Sequence, residues 1–191
     1  MLIFQLSNES MKSIKTLYGL AISTNVALML CSAAVGNMYV QKRGEQGWLF
    51  HIFSQKIPRS SDRQESKSCS YDYTYLEQTD SITILSTITL PYAGKPSDMT
   101  ISYCGTKYGH TATTVFVKPS KNGYEYRLKS AIPFEVWDSI YSCSEPFILK
   151  FSFEADGTKK SVEYRYSDKK WKSQKEKMSE IINVIRFNTA K

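Results

Sequence analysis

The feature that most constrains the fold is an alternation of apolar and polar residues that begins at Cys69. Tyr71, Tyr73 and Tyr75 recur at every second position, and residues 81–90 repeat the pattern with aliphatic side chains. In a β-strand, successive side chains point to opposite faces of the sheet. We therefore expect strands that each bury one face. The tyrosine row is expected in the core, whereas an exposed row would instead stack on sugars or bases.

Two glycine-containing dipeptides mark tight turns between such strands. They are Asn122-Gly123 and Asp156-Gly157. Each stands within a longer stretch of alternating residues, 113–128 in the first case and 147–166 in the second. Because tight hairpin turns require positive φ angles, which these residue types accept, both stretches are predicted to form antiparallel hairpins.

Two segments change from the period of a strand to that of a helix. The first, residues 132–143, is short. The second, residues 168–187, would be about 30 Å long, with Ser167 or Asp168 as its cap. Its apolar stripe comprises Trp171, Met178, Ile181, Ile182 and Ile185. The predicted class is α+β: a mainly antiparallel sheet of six to eight strands, curled or sandwich-like, with one short helix and a C-terminal amphipathic helix.

The N-terminal part contains no charged residue from Thr16 to Gln41. In one interpretation it holds a signal peptide that starts at Met11 and is cleaved after Ala34, or alternatively after Gly36, so that residues 1–10 are a mis-assigned start. In another it stays as a membrane anchor, since about 20 apolar residues cross a bilayer. A buried core helix is a third alternative. Polar residues in the middle of the segment favour cleavage.

These observations divide the chain into three parts. Residues 1–34 are predicted to be a signal peptide or membrane anchor, and residues 69–191 a β-rich domain. Residues 35–68 are predicted to be a linker, with an extra strand at 47–55. The strand is predicted from the apolar run at 48–53. Alternatively, this run is an exposed patch that lies near a membrane or binds a partner.

The four cysteines allow a prediction about disulfide pairing. Cys31 is lost on cleavage or, in an alternative interpretation, carries a lipid at the mature N-terminus. An exported domain meets oxidising conditions, and the three remaining cysteines allow one internal bridge. Cys104 with Cys143 is the favoured disulfide because an element end and a loop are sterically the easiest places to pair. Cys69 with Cys104, or three free thiols, stay as alternatives.

Enzymatic chemistry has little support in the sequence. His110, in the glycine-containing stretch 105–111, is the only base of the domain placed to activate a nucleophile. A hydrolase with a convergent site near His110 is therefore an alternative function. Cys104, His110 and Cys143 lack the spacing of metal ligands, and no glycine-rich nucleotide-binding motif occurs. We predict no catalytic, metal or cofactor-binding residues, and no cofactor.

The positive charge is concentrated in one part of the chain. The whole chain carries a formal charge of +7, but residues 69–158 have a net charge of −3 and residues 159–191 one of +6. A candidate basic face of the last helix comprises Lys169, Lys170, Lys172, Lys175 and Lys177. Binding to an anionic surface through this face is a further alternative. Nucleic acid is a weak expectation because the body is acidic.

The interpretation favoured by these patterns is an exported domain, in the periplasm or cell envelope, or one tethered by a single membrane span. It would act without catalysis, through protein contacts or contacts with an envelope surface. Contact with the membrane would run through residues 16–41. The sequence does not identify the partner.

Overall fold

The structure, a computed structural model, describes residues 37–58 and 68–190. It places Tyr39–Lys191 in one compact unit. The described residues form two β-sheets and two helices, one of them C-terminal. The predicted class, α+β with mainly antiparallel sheet, is confirmed.

The described part of the chain contains ten strands and two α-helices. The strands are β1 (Tyr39–Gly44), β2 (Gly47–Pro58), β3 (Ser68–Leu76), β4 (Ser81–Leu90), β5 (Lys95–Tyr103), β6 (Thr106–Thr111), β7 (Thr113–Ser120), β8 (Gly123–Pro133), β9 (Ile148–Ala155) and β10 (Thr158–Arg165). The helices are α1 (Phe134–Ser142) and α2 (Asp168–Thr189). Sheet A has the order β1-β2-β3-β4-β8-β7, and sheet B has the order β10-β9-β5-β6. Every neighbouring pair is antiparallel.

Tight turns set the register of two hairpins in sheet B. The β9–β10 hairpin turns at Asp156 and Gly157, whose φ angles are 52° and 70°. The β5–β6 hairpin turns in the same way at Cys104 and Gly105, with φ angles of 44° and 74°. Sequence reasoning missed the second hairpin because cysteine, unlike asparagine or aspartate, rarely adopts a positive φ.

The sheets contain more strands than the six to eight that we predicted. The two additional strands, β1 and β6, lie at sheet edges, and most of their side chains are exposed. An edge strand with two exposed faces needs no apolar alternation, so the sequence pattern does not reveal it. Much of the predicted linker at 35–68 is therefore strand, and β2 extends beyond the strand expected at 47–55. Residues 59–67 of that linker lie outside the described residues.

The N-terminal predictions fall mostly outside the described part of the chain. Residues 1–36, with Cys31 and the expected cleavage point at Ala34, are not among the described residues. Of the segment 16–41, the last three residues belong to β1, which begins at Tyr39. Among residues 37–58 and 68–190, no helix has the length and apolar character needed to span a membrane.

The core lies against the inner face of sheet A. The predicted tyrosine row of β3 points inward, and each of its three rings is 4% exposed or less. Helix α1 packs against this row through Trp137, whose ring lies 5.4 Å from that of Tyr73. Sheet B covers another part, where Phe153 of β9 contacts Tyr126 of β8 at 5.2 Å between ring centroids. The tyrosine row of β3 is therefore core, and it does not form an exposed stacking row.

Helix α2 buries the apolar stripe that its sequence predicts, together with Gln174. Trp171 stacks on Tyr141 of α1 at 5.4 Å, and its indole N–H donates to the Ser144 carbonyl at 3.1 Å. Ser167 stands at the N-cap, where its carbonyl accepts the Trp171 N–H at 2.8 Å. The Ser167 side chain makes no capping hydrogen bond.

We expect Phe153→Ala to lower the free energy of unfolding by about 3–5 kcal/mol, because it removes a fully buried ring from between the two sheets. Phe187→Ala is the matched control, since Phe187 is 87% exposed on α2, and its effect should stay within about 0.5 kcal/mol. Urea unfolding followed by circular dichroism measures both. Equal losses in the two variants would contradict the packing described above.

Candidate functional site

The structure brings the favoured cysteine pair together. Cys104, in the β5–β6 turn, is disulfide-bonded to Cys143, which directly follows α1, with 5.9 Å between their Cα atoms. The bond therefore ties sheet B to the C-terminal end of α1. Cys69 is the free cysteine of the described chain, and it is buried. Burial raises the pKa of the Cys69 thiol to about 12, against a smaller lowering by a hydrogen bond with Ser86, so this thiol is protonated and inert at neutral pH.

Beside the disulfide lies an open surface depression lined mainly by hydroxyl-bearing side chains. Ser139 and Ser142 of α1 and Thr106 of β6 line it, together with Lys175 of α2. The Lys175 ammonium group donates to the Ser142 carbonyl at 3.2 Å. This hydrogen bond joins α2 to α1, so Lys175 has a structural role at this position.

Two pairs of tyrosine hydroxyls are buried where sheet A meets the helices. The Tyr71 and Tyr166 oxygens lie 2.5 Å apart, and those of Tyr73 and Tyr141 lie 2.9 Å apart. Burial raises the pKa of Tyr166 to about 12 and raises the pKa values of the other three above their usual range. All four hydroxyls are therefore neutral at physiological pH, and each pair is joined by one hydrogen bond.

The two histidines lie on different sheets. His110 is exposed on β6, and its register partner on β5 is Met99, whose side chain cannot orient an imidazole. His51 on β2 lies with Nδ1 3.1 Å from the Thr74 hydroxyl. Within the described residues, no group of three His, Cys, Asp or Glu side chains could hold a metal ion. Cys104 and Cys143, considered with His110 as ligands, are joined to each other.

The predicted basic face of α2 is interrupted by acidic side chains. Lys169, Lys170, Lys172 and Lys177 are exposed, and Lys175 is half-buried. Glu176, also exposed, lies between Lys175 and Lys177, and the exposed Glu180 follows three residues after Lys177. The lysines therefore belong to a mixed, solvated helix surface.

A partly buried ion pair on the outer face of sheet A could not be predicted from the sequence. Asp72 of β3 is 6% exposed, and its Oδ2 lies 2.6 Å from Nη2 of Arg127 on β8. Arg127 Nη1 also donates to the Thr87 hydroxyl of β4 at 2.8 Å. The guanidinium group thus joins three neighbouring strands. Asp72 lies on the polar face of β3. From the alternation alone, this face would be expected to be exposed to solvent.

The surface most suited to binding is the free edge of β7, which ends sheet A. Its central residues Val115, Phe116 and Val117 are 54%, 41% and 45% exposed. A bulge between Thr114 and Phe116 displaces Val115 from the ladder with β8. The signal was present in the sequence, because three consecutive apolar residues in a strand expose apolar groups on both faces.

Positive charge surrounds this β7 edge, which we define as Thr113–Val117. Lys118, Lys121 and Lys129 are exposed, and the half-buried Glu125 is paired with Lys118 at 2.9 Å. The Lys118 ammonium group also lies 5.5 Å from the centre of the Phe116 ring. Accessible side chains around the β7 edge therefore combine apolar contact with a net positive charge.

Compared with protein-family models, curated proteins and solved structures, the chain matches none of them.

We expect the Cys104→Ser/Cys143→Ser variant to lose about 4 kcal/mol of unfolding free energy, the chain-entropy value for a bridge spanning 39 residues. Reductant should lower the stability of the unmodified chain to a similar degree and leave the double variant unchanged. Urea unfolding with and without dithiothreitol measures this.

Thiol labelling provides the control for that experiment. Without reductant, the Cys69 thiol should react only after denaturation, because it is fully buried. Labelling of Cys104 and Cys143 in the non-reduced native protein would refute the pairing.

Proposed function

We propose that the chain is exported and serves as a non-enzymatic contact domain at the cell envelope. Its partner would be an acidic, extended segment of another envelope protein, which adds a strand to the β7 edge. The exposed apolar side chains on the free edge of sheet A carry this proposal.

Export is supported by the sequence before the first strand. The charge-free segment starts at Thr16 and leads to the small residues at 32–34, and β1 starts at Tyr39, five residues after Ala34. Cleavage after Ala34 would leave a short N-terminal extension ahead of a strand. The Cys104–Cys143 bridge fits the same location, because disulfides persist in oxidising compartments.

Strand addition is supported by the chemistry of the β7 edge. An edge strand offers unpaired backbone N–H and C=O groups, and proteins commonly protect such edges with lysine, proline or a bulge. In β7, Lys118 and Pro119 protect the C-terminal half. Thr113–Val117 contains neither lysine nor proline, and it carries three exposed apolar residues around the bulge at Val115. An added strand would gain main-chain hydrogen bonds and cover these side chains.

The charges around the edge favour an acidic partner over a second copy of the chain. Pairing two β7 edges would bring two sets of lysines together, including Lys118 and Lys121, and like charges disfavour such an interface. Carboxylates on an added strand would instead pair with these ammonium groups.

For export, we expect the protein recovered from the envelope or periplasmic fraction to be shorter than the full sequence by about 34 residues, or roughly 3.7 kDa. It should also lack two hydrogen atoms because of its disulfide. Intact-mass measurement of separated cell fractions tests both. A full-length product with all thiols free in the soluble cytosolic fraction would refute export.

For the partner, we expect a photo-crosslinking amino acid at Phe116 to form a discrete adduct in cells, while the same group at Phe187 forms none. Phe187 is the stricter control because it is the more exposed of the two phenylalanines. Val115→Asp/Val117→Asp should reduce the adduct at least about tenfold, since it removes apolar contact and repels an acidic strand.

Three outcomes would count against the proposed partner. They are adducts of equal yield at both positions, an adduct with the mass of two copies of this chain, and a yield that does not fall as salt is raised. The last would exclude a charge-complementary contact.

A further inference from the structure

The opposite edge of sheet A carries a second exposed surface, on the outer side of the β1–β2 hairpin. We define this hairpin face as Val40, Lys42, Leu49, Phe53 and Lys56. The register aligns Val40 with His51, and Lys42 with Leu49. His51 contacts Phe53 edge-on at 5.7 Å, and Lys56 pairs with Ser70 beyond the bulge in β2. The five residues therefore share one side of the sheet.

Three apolar side chains of the hairpin face are exposed to solvent. Val40 is 52%, Leu49 38% and Phe53 40% exposed. Their neighbours on β2, Phe50 and Ile52, point to the other side and are fully buried. Strand β2 therefore buries every second residue in the core and also presents apolar side chains on its solvent-facing side. Polar residues are usual at such solvent-facing positions.

The accessible charge on this face is mainly positive: its two lysines outnumber one exposed carboxylate, that of Glu45 in the β1–β2 turn, which lines the same depression as Lys42 and Leu49. Lys42 and Lys56 are both exposed. The carboxylate that the adjoining strand β3 places on the same side is Asp72, which is buried and held by Arg127. Exposed apolar groups bordered by lysines are suited to an anionic lipid surface, where the apolar groups enter the interface and the ammonium groups meet phosphates.

The position of the hairpin in the chain also favours a lipid surface as the binding partner. β1 begins at Tyr39, directly after the charge-free sequence that starts at Thr16. A chain that is directed to a membrane through that sequence delivers this hairpin to the lipid surface before any other strand of the domain.

We propose that the hairpin face docks on anionic phospholipid. This inference builds on the proposed envelope location, but binding of the purified protein to vesicles tests it separately. The hairpin and the β7 edge stand five strand spacings apart in sheet A, or about 24 Å. Lipid at one edge therefore leaves the other edge free for a protein partner.

The test places an environment-sensitive dye on the hairpin face of the purified full chain. In a Cys31→Ser background, Phe53→Cys provides one reactive thiol, since Cys69 is buried and the other cysteines are bonded. Val115→Cys places the same dye at the opposite edge as the matched control. Both proteins are titrated with vesicles of phosphatidylcholine alone and with vesicles that also contain phosphatidylglycerol.

We expect the dye at position 53 to shift to the blue with phosphatidylglycerol vesicles only, and the dye at position 115 to stay unchanged. Lys42→Gln/Lys56→Gln should weaken the apparent affinity about thirtyfold, at roughly 1 kcal/mol per lysine near an anionic surface. The N-terminal segment is identical in this variant, so its own insertion cannot account for the loss. Inorganic phosphate should not reverse the shift.

Several results would overturn the proposal. They are equal shifts at positions 53 and 115, a shift with phosphatidylcholine alone, an unchanged affinity in the lysine variant, or release by inorganic phosphate. Circular dichroism and the urea midpoint confirm that each variant is folded, which is expected because the side chains substituted within the two edges of sheet A are exposed. Cytosolic location in the fractionation experiment, together with binding in this assay, would refute export and leave the lipid site standing.

Discussion

The interactions on which the domain depends are the two hydroxyl pairs made by strand β3. Tyr73 bonds to Tyr141 of α1, and Tyr71 bonds to Tyr166, two residues before α2. A buried hydroxyl without a partner costs about 1–3 kcal/mol, so each pair penalises any arrangement that separates its members. One strand of sheet A thereby fixes the position of α1 and the point at which the chain enters α2. Trp171 then packs between these elements.

The disulfide constrains the same helix, α1, through a bond to sheet B. Cys143 follows α1 by one residue, and Cys104 belongs to the β5–β6 turn, so α1 is fixed by Tyr141 on one side and by a covalent bond on the other. Constraints are thus concentrated at the helix end of the sandwich. The two ends of sheet A, the β1–β2 hairpin and β7, carry exposed apolar groups, and their surfaces can be covered without disturbing the helix end.

How well each element could be predicted follows from its burial. β3, β4 and α2 bury one face each, so their periods are legible and the predicted boundaries lie close to those observed. β1 and β6 are exposed edges and leave no such pattern. The neighbours β4 and β8 are separated along the chain by three other strands, and local sequence carries no information on such pairing. The Arg127–Asp72 pair depends on that order, which explains why it was missed.

The two halves of β7 differ in how strongly they disfavour pairing with another strand. Lys118 and Pro119 disfavour strand pairing along the second half of β7. The run without lysine or proline, Thr113–Val117, is about 17 Å long, enough for a five-residue partner strand and too short for extended self-assembly. A short edge ringed by lysines is suited to one acidic strand and disfavours pairing with a second copy, which is the selectivity that the proposed contact requires.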